Sequence, residues 1–62
     1  MAITLEEARK RIGDGVVYRA APGDYEDGVI TSVADQVVFV RYAGDNFSKA
    51  TYPRDLNWLA SP

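Results

Sequence analysis

Residues 28–56 read GVITSVADQVVFVRYAGDNFSKATYPRDL. Two apolar, β-branched runs, 28–33 and 37–42, flank Ala34-Asp35-Gln36, a connection short enough for a β-hairpin. Side chains alternate across a strand, so Val38, Val40 and Tyr42 share one face and Val37, Phe39 and Arg41 the other. The charge on Arg41 marks its set as the outer one and sends the valines and Tyr42 inward. Ala43-Gly44-Asp45-Asn46 is a turn cluster, and residues 48–52 make a short polar strand. Pro53-Arg54-Asp55-Leu56 reads as one helical turn, since proline suits the first position of such a turn.

Outward from this stretch, Asn57-Trp58-Leu59 reads as a closing strand and residues 60–62 as a frayed tail. Upstream, Val16-Val17-Tyr18-Arg19 is a β-branched and aromatic run, the first strand. Residues 20–27 contain Pro22-Gly23 and three acids and read as a long solvated loop. Thr4-Leu5-Glu6-Glu7 fits a capping box at the start of a helix over 4–12. Leu5, Ala8 and Ile12 lie on one stripe of that helix. Glu6 with Lys10 and Glu7 with Arg11 are i, i+4 pairs in the favourable orientation, about 0.2–0.5 kcal/mol each. Gly13 supplies the stop. Such a short helix is marginal alone, so its apolar stripe must pack, as a lid over one end of the strands. Five strands, one long early loop, a tight hairpin and a helical turn before the last strand predict a mainly β SH3-like barrel over 15–59. A three-stranded sheet with a packed helix is the alternative.

The totals set limits. Sixty-two residues make one domain, and a chain of this size buries only about 60% of the surface it exposes when unfolded. There is no cysteine and no histidine, so disulfides, thiolate metal sites, most zinc chemistry and the usual neutral-pH proton shuttle are absent. No cofactor is expected. No apolar run approaches the roughly 20 residues of a membrane span, and the N-terminus lacks a signal-peptide profile. The expectation is a soluble, cytoplasmic protein. Seven basic against nine acidic residues give a net charge of −2, which argues against broad nucleic-acid binding, where a dense basic face is needed.

The segments IGDGVVYR, GVITSV, VFVRY, SKAT and PRDL, in that order, resemble a family of small SH3-like or Tudor-like proteins encoded by tailed phages and prophages. The resemblance spans residues 12–59. It implies a viral accessory protein working in the cytoplasm of a host bacterium, without implying a particular reaction. Arg41, Asp45, Ser48, Lys49, Thr51 and Asp55 fall on its recurrent motif positions.

Three groups of residues carry candidate chemistry. Pairing of the third and fourth strands is expected to bring Arg41 near Lys49 or Thr51, with Ser48 and Asp45 beside them. That set reads either as an anion-holding patch, in which Arg and Lys are charge-assisted donors, or as an Arg41–Asp45 or Arg41–Asp55 surface pair of about 0–1 kcal/mol. The seven aromatic residues are many for so small a core. Tyr18, Tyr42 and Trp58 read as core, whereas Tyr25, Phe47 and Phe39 are as well placed to form a contact surface or a cage for a cation. Asp24, Glu26 and Asp27 do not have calcium-loop spacing and read as a solvated loop. Without a cleft to shift carboxylate pKa values, and with no histidine to activate Ser32 or Ser48, no enzyme is expected.

The function expected from these residues is a non-enzymatic binding module, an inhibitor or adaptor of a host or viral macromolecule, with a protein as the expected partner, acting through Tyr25, Phe47 and the third-strand face. A second expectation is a homo-oligomer that sequesters an anionic small molecule or nucleotide, such as a host immune signal, between subunits through Arg41, Lys49 and Thr51. Single-stranded nucleic-acid binding on stacked aromatics ranks last because of the net charge.

Overall fold

The computed structural model describes residues 2–59; the expected tail at 60–62 lies outside them. The elements are helix α1 (Leu5–Lys10), strands β1 (Gly15–Ala21), β2 (Asp24–Val33), β3 (Val38–Tyr42) and β4 (Lys49–Thr51), a 3₁₀ turn (Pro53–Asp55) and strand β5 (Leu56–Trp58). All neighbouring strands are antiparallel, in the order β4-β3-β2-β1-β5. The described residues are mainly β, with five strands, as the alternation predicts. The closure expected of a barrel is not formed: the sheet is open, with β4 and β5 as its edges.

The middle of the chain folds as its pattern dictates. Val38, Val40 and Tyr42 are buried while Arg41 is exposed and Phe39 half-buried. Their cross-strand partners follow: Val40 faces Ile30 on β2 and Lys49 on β4, and Val38 faces Val33 and Thr51. On the other side of β2, Val16 faces Gly28 and Trp58, and Tyr18 faces Glu26 and Leu56. These residues define the inner face. Its core is Val16, Ile30, Val38, Val40, Tyr42 and Leu56, joined by Ile3 and Ala8 from the N-terminal segment.

Residues 20–27 are not a loop. β1 continues to Ala21 and β2 begins at Asp24, so only Pro22-Gly23 turns, with Gly23 at φ +81°. The acids and glycine lower strand propensity, yet the ladder already set by Val16–Gly28 and Tyr18–Glu26 carries on through Arg19–Tyr25 to the tip. The result is an exposed two-stranded ribbon.

The capping box at α1 is formed: Glu7 N–H donates to Thr4 Oγ1 (3.1 Å) and Thr4 N–H to Glu7 Oε1 (3.0 Å). Glu6 and Lys10 pair at 3.7 Å. The helix is shorter than the expected 4–12, and this corrects its apolar stripe. It ends at Lys10 with Arg11 as the C-cap at φ −128°, ψ 36°, so Ile12 leaves the helical phase and is 54% exposed. Ile3, ahead of the helix, takes the buried place; its N–H donates to the Leu56 carbonyl at 3.1 Å. The expected Glu7–Arg11 pair gives way to another: Arg11 Nε donates to Asp14 Oδ2 at 2.6 Å, and its guanidinium lies 3.7 Å from the Trp58 ring centroid. After Gly13 (φ +99°) the chain is pinned to β2 by Gly13 N–H to Ile30 carbonyl (2.8 Å) and Ile30 N–H to Asp14 carbonyl (3.1 Å). The helix therefore covers the end of the inner face where β1 begins. The other end stays open. Among the described residues, no helix is long and apolar enough to cross a membrane.

Candidate functional site

The uncovered end of the inner face forms a concavity of about 240 Å³ lined by Tyr18, Glu26, Tyr42, Lys49, Ala50, Thr51, Tyr52 and Asp55. Its construction follows from the registers. Tyr18 on β1 and Glu26 on β2 are direct partners, so both side chains point to the inner face. Tyr42 ends β3 on that face, and the 3₁₀ turn after Tyr52 brings Asp55 round to the same opening. The rings of Tyr18 and Tyr42 are 5.9 Å apart, centroid to centroid, and tilted by 59°, an attractive aromatic geometry.

Tyr42 forms the floor. It is only 5% exposed, and its hydroxyl shares a 2.7 Å hydrogen bond with Thr51 Oγ1. Burial pushes its phenol above the ordinary value; the Thr51 hydrogen bond pulls the other way, and Tyr18, Glu26 and Asp55 add to the rise. Glu26 and Asp55 thus place two carboxylates at this opening, with the Lys49 ammonium on its rim. Tyr52 forms one wall and is half exposed, with the Arg54 guanidinium 4.8 Å from its ring centroid. Lys49, on the rim, is held toward the preceding turn by Asp45 (3.5 Å) and lies 5.7 Å from the Phe47 ring.

The residues expected from sequence divide between the two faces. Lys49 and Thr51 stand opposite Val40 and Val38 on the inner face, and Thr51 is buried. Arg41, opposite Val29, and Phe39, opposite Ala50, belong to the outer face. Arg41 is thus not brought together with Lys49 and Thr51, and it pairs with neither Asp45 nor Asp55. Ser48 bonds Thr31 Oγ1 at 2.6 Å, and the same Thr31 hydroxyl donates to the Phe39 carbonyl at 3.1 Å. Tyr25 and Phe47 are exposed at 58% and 60%, Tyr25 on the outer face of the ribbon opposite Arg19. The aromatic residues that share a concavity are instead Tyr18, Tyr42 and Tyr52. The first two read as core because they are strand tyrosines. The signal for the site lay in the Tyr18–Glu26 pairing, hidden while residues 20–27 read as a loop. Asp24, Glu26 and Asp27 are split by strand alternation and do not act as one cluster. Among the described residues, no three His, Cys, Asp or Glu side chains converge as a metal site requires.

Compared with protein-family models, curated proteins and solved structures, the chain finds no match in any of the three.

Proposed function

We propose that this chain is a non-enzymatic binding module that takes a cationic side chain of a protein partner into the tyrosine groove. The observation that carries the reading is the convergence of Tyr18, Tyr42 and Tyr52 with the carboxylates of Glu26 and Asp55 in one concavity. A lysine or arginine there lies among tyrosine rings, whose quadrupoles attract a cation, and two carboxylates. Further support comes from Arg54, which already stacks on the Tyr52 ring. Size bears on the choice of ligand: about 240 Å³ is below the roughly 300–1,000 Å³ of small-molecule pockets. It suits one side chain better than a nucleotide. Capture of an anion by Arg41, Lys49 and Thr51 draws no support from one chain, where Arg41 occupies the opposite face.

In this reading the fold is an SH3-like barrel left open between β4 and β5. The strand order and the 3₁₀ turn before the last strand support it. The motif resemblance supports a phage or prophage origin, with the module acting in the host cytoplasm as an inhibitor or adaptor.

The test is titration of the capped peptide Gly-Ser-Arg-Ser-Gly, followed by amide shifts, against the same peptide with norleucine or glutamate in place of arginine. The arginine peptide is expected to shift residues around Tyr18 and Tyr52, and to weaken several-fold with Tyr52→Ala or with Glu26→Gln plus Asp55→Asn. Equal responses to all three peptides, or no response, would overturn the proposal.

A further inference from the structure

The groove is bordered on one side by backbone. Ala50 lies at the middle of β4, the edge strand of the sheet, and is exposed. In an antiparallel ladder, alternate residues turn both backbone groups toward one neighbour and the residues between turn theirs away. Two contacts fix the phase here. The Phe39 carbonyl accepts from Thr31 Oγ1 and so faces β2, whereas the Tyr42 carbonyl accepts from Asp45 N–H (3.0 Å) and so faces the β4 side. Val38 and Val40 share Tyr42's direction and bond Thr51 and Lys49. Phe39 and its partner Ala50 are therefore a non-bonded pair, and Ala50 turns its N–H and carbonyl away from the sheet, at the rim of the groove. Tyr52, two residues on and extended at φ −71°, ψ 136°, has an N–H with no backbone partner among the described residues, while its carbonyl accepts from Asp55 N–H (3.0 Å).

We propose that the partner engages this edge as an added β-strand: an extended segment pairs antiparallel with Ala50 and delivers a lysine or arginine into the groove. This rests on the cation-binding reading above and names the conformation and register of the ligand. Strand addition at a free edge is a general mode in which main-chain bonds give affinity and pockets for alternate side chains give specificity. Here the geometry is specific. The ligand residue bonded to Ala50 points its side chain outward, as Ala50 does. Its sequence neighbours point inward, alongside Lys49 and Thr51, and one of them carries the cation. The occupant is cationic because Glu26 and Asp55 face this opening while the nearest lysine, Lys49, is held by Asp45.

An N-methyl scan of the capped heptapeptide Ser-Thr-Val-Arg-Val-Thr-Ser tests the register. Methylation of the residue next to arginine that pairs with Ala50 should weaken binding at least tenfold, while methylation of the arginine N–H, which points away from β4, should change it less than twofold. Ala50→Pro should weaken binding by a similar factor and leave the protein folded, since that N–H is outside the β3–β4 ladder and proline is tolerated on edge strands. A flat methyl scan with binding still lost on arginine→norleucine would overturn strand pairing and leave the groove reading standing. No binding by any of these peptides would overturn both. A dimer in sedimentation that Ala50→Pro dissolves would assign the edge to a second copy and overturn the proposal; the scan decides the matter if that variant fails to fold.

Discussion

The Tyr42 and Thr51 hydroxyls are joined at 2.7 Å across the inner face, and both residues are buried. The bond ties β3 to the edge strand and leaves no buried side-chain polar atom without a partner among the described residues. Tyr42→Phe strands the Thr51 hydroxyl and should cost about 1–3 kcal/mol in urea unfolding. Tyr42→Phe with Thr51→Val should cost less than the sum of the two single changes, because no unpaired group remains. There is also a pH consequence. The folded-state phenol is raised by burial, so the folded protein keeps a proton that the unfolded chain releases near pH 10. The Tyr42 contribution is complete below that value and is lost as pH rises through the folded pKa. Stability above pH 10 should therefore fall more steeply in the wild type than in Tyr42→Phe.

Gly28 makes room for the same tyrosine. A Cβ at Gly28 would collide with Val40 Cγ1 and stand 3.0 Å from Tyr42 Cδ1 and 3.1 Å from the Arg41 carbonyl. The first two are core side chains that cannot swing into solvent. Gly28→Ala should destabilise by about 1–3 kcal/mol through overpacking and displace the Tyr42 ring, detected as shift changes at Tyr18 and Thr51. Gly23→Ala tests a different cause: no neighbouring atom comes within 4 Å, but φ is +81°, so its smaller loss comes from backbone strain alone.

The contrast between these sites explains what was legible in the sequence. Inward and outward positions on β3 follow from one charge in an apolar run, and the start of α1 from the Thr4–Glu7 spacing; both are local rules. The 3₁₀ turn likewise follows from Pro53. The groove follows no local rule. It joins Tyr18 to Asp55, which β2, β3 and β4 separate along the chain, and neither residue differs in sequence from an ordinary strand tyrosine or turn aspartate. The β1–β2 ribbon was hidden for a related reason: Asp24, Glu26 and Asp27 have poor strand propensity, and cross-strand bonding overrides it. Sheet openness depends on whether β4 and β5 meet, a long-range matter that no window of sequence contains.

The end of α1 is where local periodicity misleads, and there it can be tested directly. Spacing places Ile12 in the core and Arg11 in a helical ion pair; the structure exchanges their importance. Ile12 is 54% exposed, whereas Arg11 stacks on Trp58 at 3.7 Å and bonds Asp14 at 2.6 Å. Its planar head covers an indole that packs against the core. Partial exposure of the Arg11–Asp14 pair (34% and 47%) keeps the ionic part small, so stacking should dominate at about 0.5–1 kcal/mol. Arg11→Ala should therefore destabilise by about 1 kcal/mol and shift Trp58 fluorescence to the red as the ring gains water. Ile12→Ala should stay within about 0.5 kcal/mol of the wild type with Trp58 emission unchanged. Arg11→Lys keeps the charge and loses the planar fork, so it should fall between the two. The opposite order of losses would mean that Ile12, not Arg11, anchors the helix to the sheet.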